Sequence, residues 1–196
     1  MNCSPLHNPV LLIHGLHDTT RIFQTLSTYL ARRGWSTYSF NLKPNNGDAP
    51  LEQLAQQVVD YVDKTFSPKE RLDLVGLSMG GLVSRYYIQQ LGGIERAQRF
   101  VTLGTPHHGT WVAYLSRRSG CMQMRPQSDF LQQLNQDVEL LEKLKFTSIW
   151  TPFDLMIVPA TSSQMPIGRE ARVWVLGHNW VVTSALGLKA IAQALA

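Results

Sequence analysis

The stretch Leu72-Asp73-Leu74-Val75-Gly76-Leu77-Ser78-Met79-Gly80 decides how this chain folds. An apolar strand runs straight into Gly-x-Ser-x-Gly, and a segment of helical period, Met79 to Leu91, follows and is closed by Gly92 and Gly93. So tight a strand-to-helix turn holds its serine in a strained backbone conformation. The glycines two before and two after the serine remove the side chains that would clash across the turn. The Ser78 hydroxyl is then expected to project above the sheet at a helix N-terminus, whose partial positive charge favours a developing anion. Without a strand before it and a helix after it, the same serine would be only a loop residue or a cap.

Outward from this elbow, short apolar runs alternate with stretches of helical period, the pattern of a parallel sheet covered on both faces. Strands are expected at 10–13, 36–41, 72–76, 99–103, 147–151 and 172–176. Thr20 to Arg33 places Phe23, Leu26 and Leu30 on one helical face, and Leu51 to Phe66 does so with Leu54, Val58 and Tyr61 or Val62. Asp18 or Thr19 can cap the first helix and Gly34 end it, while Pro50 opens the second. A longer excursion, Gly104 to Thr147, carries helical patterns at about 128 to 145, and a last helix runs from about Val181 to Leu195. The expected fold is α/β, one domain over residues 1–196, with a six-stranded mostly parallel sheet in the order 2-1-3-4-5-6.

The chain has 196 residues, of which 44% are hydrophobic, enough for one substantial core. Its net charge of +4 is not gathered into a basic run or a basic-aromatic stripe, which argues against a nucleic-acid partner. Arg117, Arg118 and Arg125 cluster in one segment and point to peripheral contact with an anionic lipid surface. Cys3 and Cys121 have neither metal-knuckle nor redox spacing. No basic n-region with a long apolar stretch opens the chain, so a cytoplasmic location without a signal peptide is expected. No run approaches the roughly 18 apolar residues needed to span a bilayer.

A serine hydroxyl is a weak nucleophile unless a histidine takes its proton, and a carboxylate must orient that histidine. On such an elbow the chain order is serine, acid, histidine. Downstream of Ser78 stand His107, His108 and His178, and only His178 follows a final strand, in Gly177-His178-Asn179. Among the downstream acids, Asp154 sits at the carboxyl end of a strand in Thr151-Pro152-Phe153-Asp154; Asp129 and Asp137 read as helix positions and Glu170 as a turn. The catalytic set is therefore Ser78, Asp154 and His178. Asp18, Asp48 and Asp73 precede the serine and are given no catalytic role.

Two backbone N–H groups should face the oxyanion, one from Met79 after the nucleophile and one from Leu16 in His14-Gly15-Leu16. The order 2-1-3-4-5-6 sets the loops after the first and third strands side by side, where ligands of doubly wound sheets bind. His14 reads as a packed residue. His107 and His108, being adjacent, project to different sides, which argues against a metal pair. No metal or cofactor is expected. Trp111, Tyr114, Trp150, Phe153 and Trp180 lie in loops on the same side and are taken as the acyl pocket. Thr110 to Pro126 is the one segment available to wall it.

These blocks resemble those of the small bacterial triacylglycerol lipases of the α/β-hydrolase superfamily, and more loosely the inositol deacylases. The matching stretches are Val10–Leu16, Leu74–Val83, Thr102–Thr110 (TLGTPHHGT), Ser128–Asn135, Ile149–Pro159 and Val175–His178. The chain departs from many such lipases at Leu77, where they carry a histidine, and offers no block for their calcium site or helical lid. The resemblance implies a carboxylic ester hydrolase acting on lipid esters such as acylglycerols, galactolipids or phospholipids. A thioesterase or acyltransferase with the same triad, and a non-catalytic lipid-binding module, are the alternatives.

Overall fold

In the computed structural model, which describes residues 7–196, six strands form one sheet in the order β2-β1-β3-β4-β5-β6. They are β1 (Val10–Ile13), β2 (Thr37–Ser39), β3 (Leu72–Leu77), β4 (Ala97–Leu103), β5 (Lys145–Trp150) and β6 (Arg169–Arg172). Every pairing is parallel. Seven α-helices follow the chain: α1 (Gln24–Ala31), α2 (Leu51–Thr65), α3 (Met79–Gln90), α4 (Ser119–Gln123), α5 (Asp129–Gln136), α6 (Trp180–Thr183) and α7 (Ala185–Leu195). Cys3 lies outside the described residues. No described helix is long and apolar enough to cross a membrane.

Strand side chains alternate between faces, and the core divides accordingly. Leu11, Ile13, Leu74, Phe100 and Phe146 pack with α2, α3 and α5 on one face. Val10, Leu12, Val75, Val101 and Ile149 pack with α1, α6 and α7 on the other. In α2 the period of 3.6 brings Leu51, Leu54, Ala55, Val58 and Val62 to the sheet. Each of the larger side chains contributes roughly 1.5–3 kcal/mol through burial.

The sixth strand differs from the expected 172–176. It is Arg169-Glu170-Ala171-Arg172, an exposed edge strand with no apolar signature. β5 ends where Trp150 pairs with Arg172, and after the Val173 N–H bonds the Trp150 carbonyl there is no further ladder to join. Val173 and Val175 are buried by packing against the α6–α7 core instead. β2 is shorter than 36–41, and β5 begins at Lys145, two residues before the expected start, because it pairs from Arg99 onward.

The first helix opens as a 3-10 turn, Thr20–Phe23, capped by neither Asp18 nor Thr19. The Thr20 N–H donates instead to Asn41 Oδ1, far along the chain, at 2.9 Å. The stretch 128–145 divides at Asp137 into α5 and a 3-10 segment, Val138–Lys143. The last helix is likewise broken at Ser184, whose hydroxyl accepts from the Gly187 N–H and starts α7.

Candidate active site

β3 ends at Leu77, and Ser78 follows at φ 54°, ψ −124°, a left-handed conformation that a side chain adopts only under constraint. The Ser78 N–H is held by the Leu103 carbonyl of β4, and the Ser78 carbonyl accepts from the Gly81 N–H. A side chain at Gly80 would overlap the Ile13 and His14 carbonyls, so α3 can sit on the end of β1 only with glycine there. The elbow is thus fixed from both neighbouring strands.

Asp154 and His178 approach each other from the loops after β5 and β6. Asp154 Oδ2 accepts a hydrogen bond from His178 Nδ1 at 2.6 Å, and its side chain is 1% exposed against 11% for the histidine. The other oxygen, Oδ1, accepts from the N–H groups of Met156 and Ile157 at 2.9 and 3.0 Å, which fixes the carboxylate plane. Thr151 ties the two loops together by donating its hydroxyl to the Val175 carbonyl at 2.7 Å. Beneath the pair lies Gly104 at φ +51°. A Cβ on it would stand 3.0 Å from His178 Cε1 and 3.1 Å from Asp154 Oδ2. With Nδ1 donating to the acid, His178 presents a lone pair on Nε2.

Ser78 and His178 line one cavity of about 630 Å³, together with Leu16. Among the described residues the N–H groups of Leu16 and Met79 have no protein acceptor. Met79 opens α3, where the first turn leaves its amides unpaired. The loop bearing Leu16 is fixed by His14, which is fully buried. Its Nδ1 donates to the Gly15 carbonyl at 2.9 Å, and its Nε2 accepts from the Leu42 N–H at 3.0 Å. Burial lowers its pKa, which agrees with a neutral ring.

Of the five aromatic residues expected in the acyl pocket, only Trp180 lines the cavity. Trp111 and Tyr114 stand on the outer side of a 3-10 turn, Trp111–Leu115, stacked at 5.4 Å. Three residues make one turn there, so positions three apart share a face. Val112, Ala113 and Leu115 are left to face the cavity. Phe153 meets Trp174 edge to face outside it, and buried Trp150 lies under Arg172. The walls are built instead from Val112, Leu115, Met124, Met156, Ile157 and Leu176. Thr110 to Pro126 does form one wall, tied by Thr110 to Met124 and Met156, and by the Gly120 N–H to the Gly47 carbonyl.

His107 and His108 part as expected. His107 is fully buried, its Nε2 paired with Thr102 Oγ1 and its Nδ1 3.4 Å from the Arg85 guanidinium; burial, then Arg85, holds its pKa well below the usual value. Arg85 is itself buried and donates to neutral acceptors, the Gln89 and Asn135 side chains and the Leu134 carbonyl. This network braces the loop that carries Gly104. Nothing in the spacing of Arg85 along α3 announced it. Of the three clustered arginines, Arg118 is paired with Asp48 at 3.2 Å and Arg125 lies over Tyr114.

The sheet order and the elbow define an α/β-hydrolase. The structure superposes on the mature lipase BlEst2 of Bacillus licheniformis with a TM-score of 0.78 and 16% identity, over 98% of this chain and 93% of that one. It superposes on lipase B of Aspergillus fumigatus with a TM-score of 0.81 and 16% identity, over 96% of this chain and 52% of that one. Residues 9–125, more than half of the chain, match the model of the palmitoyl protein thioesterase family, and the chain belongs to that family. A triacylglycerol lipase of Pseudarthrobacter phenanthrenivorans is 28% identical over 113 residues, 54% of this chain and 35% of the lipase. The chain thus matches about a third of the length of that curated relative.

Proposed function

We propose that this protein hydrolyses carboxylic esters of lipids through an acyl-enzyme on Ser78. The observation that carries the reading is the 2.6 Å pair of Asp154 and His178, whose histidine lines one apolar-walled cavity together with the strained Ser78. His178 Nε2 takes the Ser78 hydroxyl proton as Oγ attacks the ester carbonyl carbon. The carbonyl oxygen becomes an oxyanion, received by the Leu16 and Met79 N–H groups. When the intermediate collapses, the carbon–oxygen bond to the alcohol breaks and His178 returns the proton to the leaving oxygen. A water, deprotonated by the same Nε2, then attacks the acyl carbon, and Ser78 recovers its proton as the fatty acid leaves. Each buried CH₂ of the acyl chain contributes about 0.8 kcal/mol, so medium-chain esters are preferred over acetate.

Family membership favours a second leaving group, the thiol of an acyl thioester, which the same steps would release. Rates on an acylglycerol and an acyl thioester of equal chain length, for wild type and Ser78→Ala, separate the readings. A Ser78→Ala protein that keeps wild-type rates on both would end the acyl-enzyme proposal.

The mouth of the cavity is the face that meets the lipid aggregate. Leu115, Leu176 and Trp180 line the cavity and stand exposed, and Leu155 and Trp174, in the segments that carry Met156 and Leu176, are exposed as well, a large apolar surface to present to water. Because Arg118 is already paired, attachment rests more on this apolar rim than on charge, and vesicle binding should change little with salt.

A further inference from the structure

The cavity lining mixes apolar and polar groups: Met124, Met156, Ile157 and Leu176 are apolar, and His17, Asp18, Ser78, His178 and Asn179 are polar. Asp18 is the only acidic residue on that lining, and no lysine or arginine lines it. The Asp18 carboxylate lies close to the nucleophile. A methyl group placed on Gly15 would be 3.1 Å from Ser78 Cβ and 3.4 Å from Asp18 Oδ2, so serine and carboxylate flank the space one methyl would fill. Among the described residues no donor reaches its side-chain oxygens. Asn45 bonds only its backbone carbonyl, and the helix it might have capped is held by Asn41. An acceptor with no partner, open to the cavity beside the reacting serine, serves no structural purpose visible in the fold.

We infer that Asp18 determines leaving-group specificity, accepting a hydrogen bond from a hydroxyl carried next to the scissile ester, as in a partly acylated glycerol. This rests on the acyl-transfer reading of the same cavity. With the acyl chain against the apolar side chains, the alcohol lies on the Asp18 side of Ser78, where the carboxylate meets it. An alcohol with no second hydroxyl leaves the carboxylate unpaired and partly desolvated, and one bearing an anion is repelled. Burial raises the Asp18 pKa, opposed by His14, His178 and His17, the titratable groups that face it. The preference is therefore present while Asp18 is ionised and fades as pH falls through its raised pKa.

The test compares a 1-monoacylglycerol with the methyl ester of the same acid, both below their aggregation limits, in wild type, Asp18→Ala and Asp18→Asn. The readout is the ratio of the two kcat/KM values, in which the shared chemistry cancels. The ratio should fall about tenfold or more in Asp18→Ala, the size of one hydrogen bond to a charged group. It should fall less in Asp18→Asn, whose amide oxygen still accepts. In wild type alone the ratio should decline on acidification. Equal losses on both esters, or an unchanged ratio, overturn the inference. Binding of a 1-O-alkylglycerol against the matching methyl alkyl ether, read by tryptophan fluorescence, asks the same question without turnover. If wild type cleaves neither ester while the glycerol ether still depends on Asp18, the hydrolytic reading fails, and leaving-group specificity with it, and only hydroxyl recognition by Asp18 stands. If both esters are cleaved and neither measurement depends on Asp18, the reverse holds.

Discussion

Replacing Asp154 with asparagine changes one atom and, by the geometry, should stop the chemistry while leaving the fold intact. The asparagine carbonyl can take the place of Oδ1, still accepting from the Met156 and Ile157 N–H groups. Its amide then faces His178 Nδ1 across a 2.6 Å contact that the native carboxylate fills as an acceptor. The amide can only donate there, so Nδ1 must be the bare nitrogen and the proton moves to Nε2. A protonated Nε2 cannot take the Ser78 proton. The loss on such a tautomer switch is on the order of 10⁴-fold in kcat, about 5 kcal/mol of transition-state stabilisation. Asp154→Ala should be as inactive yet less stable, because it also strips the acceptor from two N–H groups, at roughly 1–3 kcal/mol for each left unsatisfied. Initial rates on a soluble medium-chain ester, paired with thermal melts, separate the two variants. An Asp154→Asn enzyme retaining more than about a tenth of wild-type kcat would refute the assignment of acid and tautomer.

Ser78→Gly should abolish turnover and raise stability by about 1 kcal/mol, because glycine accepts the positive φ that serine holds under strain; a lowered Tm would contradict the strain argument. Gly104→Ala sets a methyl 3.0 Å from His178 at a left-handed position and should cut kcat far more than KM. Leu155→Asp and Trp174→Ser, outside the cavity, should weaken sedimentation with phosphatidylcholine vesicles severalfold; unchanged binding would move the lipid face elsewhere. Burial lowers the pKa of His14, His107 and His108 in the folded chain from the ordinary 6.5. Below about pH 6.5 the unfolded chain binds protons first, so Tm should fall on acidification, less steeply in His107→Asn. The raised carboxylates of Asp18 and Asp73 act in the opposite sense as pH falls toward 3.8.

The sheet was legible because β1, most of β3 and the second half of β4, Phe100 to Leu103, are buried on both faces and so read as short, largely apolar runs. The strand order led to Ser78 and Asp154 as candidates in the turns after β3 and β5, whereas His178 was chosen for following an expected strand at 172–176 and in the structure stands in the loop well beyond β6. The edge strand β6 was hidden because Arg169, Glu170 and Arg172 face solvent, while the valines after it borrow a strand's composition for a different kind of packing. The cavity lining was misread for a local reason. Whether Trp111 or Val112 faces inward depends on a 3-10 turn rather than an α-helix, a difference of fractions of a residue per turn. Asp18 was mistaken for a cap because the true cap, Asn41, lies 21 residues from the Thr20 N–H it receives.

The contact at Gly80, where α3 rests on the last carbonyls of β1, is main chain against main chain. Ser78 is therefore located by peptide groups, whose dimensions no substitution elsewhere can alter. Side chains behind the elbow, such as Leu82, Val83 and Ile88, could be exchanged for others of similar volume without dragging Ser78 out of line. In an engineering campaign the elbow is insulated from the hydrophobic interior, and heat tolerance could be raised there with little displacement of Ser78.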